Sequence, residues 1–142
     1  MKHLMLFVIA IGLFHMAYSQ DKTIVITDSS TNTVVEVPRK KILNGIASYY
    51  ADKFVGKRTA NGELYSHTKL TAACNKLPLG TWIRVTNLRN QKSVVVKVND
   101  RLHPKNTRIV DLSRVAAERL GFIKRGLTQV KVEVLGKIKP KS

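Results

Sequence analysis

The strongest constraint in this chain is a two-residue rhythm of β-branched side chains, arriving in short runs and never giving way to a long helical period. Val94, Val96 and Val98 fall on one face of a strand, with Lys97 and Asn99 on the other. Ile83 and Val85 alternate with Trp82, Arg84 and Thr86, and Val130, Val132 and Val134 repeat the pattern towards the end. Leu70 to Cys74 and Arg108 to Leu112 read as further short strands. Ile42 to Tyr50 reads as another, and Gly45 inside it marks a bulge or a close approach of backbone. The spacing predicts one short helix from Arg114 to Leu120, with Ser113 as N-cap and Gly121 as its left-handed stop. Val115, Ala116, Leu120 and Phe122 would be its buried stripe. Five or six strands with one helix, and no strand–helix–strand alternation, predict a small mainly β barrel.

The segments before this domain differ in character. Residues 1–19 read as an export signal: Lys2 supplies the positive start, Leu4 to Leu13 the short apolar stretch, and Ala17-Tyr-Ser19 the small residues a signal peptidase reads. The stretch is too short to span a bilayer as a helix. Cleavage after Ser19 is expected, giving a soluble periplasmic or secreted protein. No cysteine stands at the cleavage point, so no lipoprotein is expected. Residues 20–41 form an extension, in which Thr23 to Thr27 and Thr33 to Val37 read as a hairpin. The main domain is expected over 42–136, with a basic tail at 137–142. Cys74 is the sole cysteine, so stability must come from packing and backbone pairing rather than from an internal disulfide.

Twenty-five Lys and Arg stand against nine Asp and Glu, a formal net charge of +16. Such a charge suits nucleic acid, but an exported protein meets wall polymers and acidic glycans instead. The basic residues are scattered, and a scattered charge steers an anionic partner weakly. Against this background the carboxylates stand out. Glu63 closes the turn Thr59-Ala-Asn-Gly-Glu63, and Asp100 ends the valine-rich strand Val96-Lys-Val-Asn-Asp100. Carboxyl groups are the usual agents of glycosidic bond cleavage, because the departing oxygen needs a proton. Asp100 is read either as that proton donor or as a strand-end residue capping backbone N–H groups.

Eight pieces in order carry a family resemblance: Gly45-Ile-Ala-Ser-Tyr-Tyr50, Gly56-Lys-Arg-Thr-Ala-Asn-Gly-Glu63, Leu70-Thr-Ala-Ala73, Leu77-Pro-Leu-Gly80, Val85-Thr-Asn-Leu88, Ser93-Val-Val-Val96, Val98-Asn-Asp-Arg101 and Arg108-Ile-Val-Asp-Leu-Ser113. The segment from Gly45 to Leu135 resembles the rare lipoprotein A family of septal lytic transglycosylases. The resemblance implies a six-stranded double-psi β-barrel and cleavage of peptidoglycan glycan strands without water, preferably strands stripped of stem peptides. It implies functional acids at Glu63, Asp100 and Asp111. Cys74 stands where the family carries histidine, and Leu102-His-Pro104 replaces its Gly-Pro-Phe. The first departure favours an alternative reading, a non-catalytic glycan-binding module.

Within this frame Asp100 is assigned the acid–base role, and Glu63 substrate orientation and stabilisation of charge at C1. Asp111 sits at the helix entrance, where the helix dipole offers a structural explanation for it. Arg58 and Arg101 are assigned to the lactyl carboxylates of muramyl residues, although Arg101 has the alternative of an ion pair with Asp100. Tyr50 and Tyr65 are the expected sugar contacts, and Thr71 and Asn99 complete the substrate-binding candidates. Cys74 is either a cleft residue or buried filler. His67, His103 and Cys74 lack metal-ligand spacing, so no metal and no cofactor are expected. Peptidoglycan glycan strands are the expected partner of a monomer, with cell-division or wall-remodelling proteins as candidate recruiters and no nucleic acid.

Overall fold

The computed structural model describes residues 24–27, 34–37 and 40–141, and the expected export signal lies outside them. Two short strands, β1 (Ile24–Thr27) and β2 (Val34–Val37), pair antiparallel with Ile24 opposite Val37. The hairpin read from the two β-branched runs is therefore present. It belongs to a compact unit of its own, divided from the main domain between Arg39 and Lys40.

The main domain is a closed barrel. Its strands are β3 (Ile42–Tyr49), β4 (Thr71–Ala73), β5 (Trp82–Asn87), β6 (Ser93–Asp100), β7 (Val110–Leu112) and β8 (Thr128–Gly136). They close in the order β3-β7-β4-β6-β5-β8. The pairs β3/β7 and β4/β6 run parallel, and the other neighbours antiparallel. This is the mainly β, six-stranded double-psi barrel that the resemblance implied. Closure leaves no unpaired strand edge, which a small domain without a disulfide would otherwise have to protect.

The interior follows from the alternation. Ile83, Val85, Val96, Val98, Val130 and Val132 are fully buried, joined by Val110 and Leu112 of β7 and by Ala47 and Ala72. Each large aliphatic side chain taken from water contributes about 1.5–3 kcal/mol. Cys74 lies in this cluster, fully buried.

The helix α1 (Arg114–Leu120) ends at Gly121 with φ 72°, as expected for a left-handed stop. Two details of the expected helix are corrected. Ala117 is buried where Val115 was expected, because Val115 is only half-buried. Ser113 occupies the cap position with extended backbone, yet its hydroxyl makes no capping bond and is buried without a partner. Its backbone N–H is taken instead by the Thr71 carbonyl, so the residue serves the barrel more than the helix.

Gly45 is a close approach rather than a bulge. It pairs in register with Val130, and a Cβ built on it would sit 2.8 Å from Ile109 Cβ. The bulge is elsewhere. Between β4 and β6, Ala72 faces Val98 but Ala73 faces Asp100, which leaves Asn99 as the extra residue. Strict alternation would have sent Asp100 inward with Val94, Val96 and Val98. The bulge breaks that phase, burying Asn99 and releasing Asp100 to the barrel surface.

Candidate active site

The register of three strands positions two carboxylates. Ala73 of β4 is opposed on one side by Asp100 of β6 and on the other by Asp111 of β7. Two strand spacings separate them, about 10 Å between Cα atoms. Ala73 between them, nearly fully buried, has only a methyl group and lies at the floor of the cleft. A cleft of about 690 Å³ opens there, lined by both carboxylates and by Tyr49, Tyr50, Phe54, Arg101, His103 and Arg108. Residues 51–58 form one wall through Lys53, Lys57 and Arg58. The stretch 51–65 is ordered in part by a 3-10 turn at Asp52–Phe54 and a bridge between Arg58 and Leu64.

Asp100 is held from three directions. Its Oδ1 accepts the backbone N–H groups of Ala60 and Arg101, each at 2.8 Å, and its Oδ2 accepts the Tyr50 hydroxyl at 2.5 Å. It does cap backbone N–H groups, as a strand-end residue would, and it also borders the cleft. The two readings are compatible because they use different oxygens. Burial, and then the bond to Asp100, push the Tyr50 phenol far above its ordinary range, so this hydroxyl keeps its proton and donates. Arg101 makes no ion pair with Asp100. Its guanidinium donates to the carbonyls of Cys74 and Leu77 and ties the β6 exit to the turn after β4.

Asp111 is different. Arg108 grips it with two bonds, Nε to Oδ1 at 2.7 Å and Nη2 to Oδ2 at 2.8 Å, and the guanidinium is held further above its usual range by that contact. Asp111 is therefore fixed in orientation, with both its oxygens engaged by Arg108. Arg108 was not singled out from the sequence, although a cation three residues before Asp111 was a readable signal.

Glu63 is outside the cleft lining. Asn99 Nδ2 donates to its Oε2 at 2.9 Å, Asn61 Nδ2 to its Oε1 at 2.9 Å, and Lys97 Nζ stands 3.4 Å from Oε1. These contacts, Asn99 foremost, hold its carboxyl below the usual glutamate range. The structure thus ties Glu63 to the β6 bulge and places it beside the Thr59–Gly62 turn whose Ala60 N–H reaches Asp100.

The other expected site residues divide. Tyr50 and Arg58 line the cleft with Asp100, Asp111 and Arg101. Asn99 and Thr71 are buried, Asn99 serving Glu63 and Thr71 pairing with β6. Tyr65 is buried as well and does not line the cleft; its ring stacks on Tyr50 at 4.2 Å between centroids. Cys74 is core, in line with the filler reading. Phe54, in a polar loop and 37% exposed, was missed; Lys53 and Lys57 Nζ lie 5.4 and 5.7 Å from its ring. None of Lys53, Lys57 and Arg58 is among the salt-bridged residues of the described chain, so this wall carries uncompensated positive charge.

A family model described as lytic transglycolase matches residues 42–132, the barrel almost end to end. The chain belongs to the lytic transglycolase family. It is 48% identical over 92 residues to the endolytic peptidoglycan transglycosylase RlpA of Pasteurella multocida, covering 65% of this chain and 31% of that protein. The RlpA proteins of Campylobacter jejuni and Pseudomonas aeruginosa are 48% and 52% identical, over 66% and 63% of this chain and 34% and 26% of theirs. The chain thus spans about a third or less of the length of these relatives. Among solved structures, the Streptomyces papain inhibitor superposes with a TM-score of 0.55 at 22% identity, covering 66% of this chain and 94% of the inhibitor. The expansin of Clavibacter michiganensis gives 0.54 at 18% identity, covering 72% and 53%. These two likenesses concern the fold alone. In this family member, no helix among the described residues is long and apolar enough to cross a membrane.

Proposed function

We propose that the barrel is an endolytic peptidoglycan transglycosylase. It cleaves the β-1,4 bond between N-acetylmuramic acid and N-acetylglucosamine without water and leaves a 1,6-anhydro muramyl end. The observation that carries this reading is Asp100. Among the described residues it is the cleft carboxylate with no cationic partner, whereas Asp111 is held in a bidentate ion pair by Arg108. The names of the relatives, all peptidoglycan transglycosylases, support the substrate class.

The geometry suits a single acid–base group. Oδ1 accepts two backbone N–H groups and Oδ2 only the Tyr50 hydroxyl, so Oδ2 keeps the lone pair assigned to proton exchange with the substrate. Asp100, protonated on Oδ2, gives that proton to the bridging oxygen as the C1–O bond breaks. Positive charge grows at C1, and the fixed carboxylate of Asp111 across Ala73 stabilises it. The muramyl O6 hydroxyl then closes on C1 and returns its proton to Oδ2. One bond breaks, one forms, the carboxyl group is restored, and no water is consumed. Glu63 orders the turn that donates Ala60 N–H, which is an orienting role one step removed from the sugar. Tyr50 and Arg58 contact the glycan, and the wall formed by Lys53, Lys57 and Arg58 suits the free lactyl carboxylates of strands stripped of stem peptides. Residues 1–19, read as an export signal, would deliver the enzyme to the compartment that holds this polymer.

Incubation with peptide-free glycan strands, followed by mass spectrometry, tests the assignment. Anhydro-muramyl products are expected from the native protein and none from Asp100→Asn. Sedimentation with the polymer in the absence of product would overturn the enzyme reading in favour of a glycan-binding module.

A further inference from the structure

Behind the cleft, a closed circuit of contacts surrounds Tyr50. Tyr65 stacks on it at 4.2 Å with an interplanar angle of 22°, and Phe54 meets it edge-on at 5.5 Å. Tyr65 Oη is in turn bonded to His67 Nδ1 at 2.8 Å, and His67 Nε2 to Asp52 Oδ1 at 2.9 Å. Asp52 and Phe54 belong to the same 3-10 turn. The path therefore returns to its start: Tyr50, Tyr65, His67, Asp52, the turn, Phe54, Tyr50.

The hydrogen bonds in this circuit have a direction. The backbone N–H of Arg114 donates to Tyr65 Oη at 3.3 Å. With the His67 proton on Nε2, the Tyr65 phenol donates to Nδ1 and Nε2–H donates to Asp52 Oδ1. Arg114 Nη1 lies 3.5 Å from the same Asp52 oxygen. His67 also lends its backbone carbonyl to Val115 N–H, which fastens the ring to the start of α1. Each member has its partner.

We propose that His67 is a positioning residue for the Tyr50–Asp100 pair, acting through the ring of Tyr65. It touches neither the cleft nor Asp100. Its function is to fix the tilt of Tyr65, which is buried and presents a flat face on which Tyr50 must lie for its hydroxyl to reach Asp100 Oδ2. Without His67 the Tyr65 hydroxyl loses its acceptor, the stack is free to slide, and the short bond from Tyr50 lengthens. The inference rests on the transglycosylase reading only for its kinetic consequence. The position of the Tyr50 proton can be observed whether or not the barrel is an enzyme.

The test uses the full chain and three variants: His67→Ala, His67→Gln and Tyr65→Phe. Glutamine restores one acceptor and one donor, so it can bridge Tyr65 and Asp52 as imidazole does. Proton NMR should show the Tyr50 hydroxyl far downfield in the native protein, shifted upfield or lost to exchange in His67→Ala and Tyr65→Phe, and recovered in His67→Gln. With glycan strands, kcat should fall about tenfold in the first two variants with KM almost unchanged, since misplacement of a reacting group acts on turnover. The glutamine variant should recover most of it. An unshifted Tyr50 proton in folded His67→Ala and Tyr65→Phe would overturn the inference, as would a loss that glutamine leaves unrepaired. A native protein that shows the NMR pattern but forms no anhydro product would refute the enzyme reading and uphold the positioning role.

Discussion

Tyr50 and Asp100, fifty residues apart, are joined by a 2.5 Å bond from phenol to carboxylate. The bond spans from the end of β3 to the end of β6 and sets which carboxylate oxygen is engaged at the cleft. Tyr50→Phe keeps the stacked ring and removes only the donor. Product formation should fall about 10- to 100-fold, as for loss of one oriented donor at a reacting group. Rates of anhydro-muramyl release, read beside a circular-dichroism check of the fold, decide it.

Arg108 and Asp111 test the second carboxylate. Asp111 has a side chain only 17% exposed, whereas that of Arg108 is 35% exposed, so solvent screens the pair in part. Arg108→Ala should cost about 1 kcal/mol, near the upper range for screened pairs because the grip is bidentate. The double variant Arg108→Ala with Asp111→Ala should cost less than the two single losses added together. Urea denaturation of the four proteins gives the coupling directly.

Gly45 is a packing prediction. In Gly45→Ala the new methyl would lie 2.8 Å from Ile109 Cβ and 3.0 Å from its Cγ2. Ile109 N–H is bonded to the Ile46 carbonyl, so the two segments cannot separate without losing that bond. A loss of about 1–3 kcal/mol is expected for such overpacking. An unchanged denaturation midpoint would show that β3 and the segment before β7 can move apart.

Glu63 predicts a pH dependence. Its folded carboxyl lies below the ordinary value of 4.5, through Asn99 first and then Asn61 and Lys97. A depressed folded pKa contributes stability that is complete above the unfolded value and is lost as pH falls through the folded one. The native protein should therefore exceed Glu63→Gln in stability near neutral pH, with the gap closing as pH falls below 4.5. Denaturation midpoints of both proteins across that window would show it. A constant gap would mean that the carboxylate charge plays no part.

Much of the barrel was legible because alternation is a local property. Each β-branched run reports its own inward face, and the apolar positions of β5, β6 and β8 could be read directly from Ile83, Val85, Val96 and Val130. The left-handed stop at Gly121 was equally local. The Ser113 cap was misread for the opposite reason. A serine before a helix is a cap only if its hydroxyl turns towards the first turn, and here packing under β4 buries it without a partner. Asn99 is a similar case. Its side chain was expected on the polar face of β6, but one extra residue opposite β4 put it inside.

The sequence by itself determined the strand periods, the glycine that allows a close approach, the basic surface and the order of the acidic motifs, since all of these are written in neighbouring residues. Only the tertiary structure decided which acids share a cleft. Asp100 and Asp111 meet across Ala73 because parallel and antiparallel neighbours bring three distant segments to one level, while Glu63 remains on the rim. The ion pair that separates Asp111 from Asp100, and the stack that carries Tyr65 beneath Tyr50, likewise exist only once the barrel has closed. The physical reason is range: side-chain alternation acts over two residues, but the environment of a carboxylate is set by whatever the register of other strands places beside it.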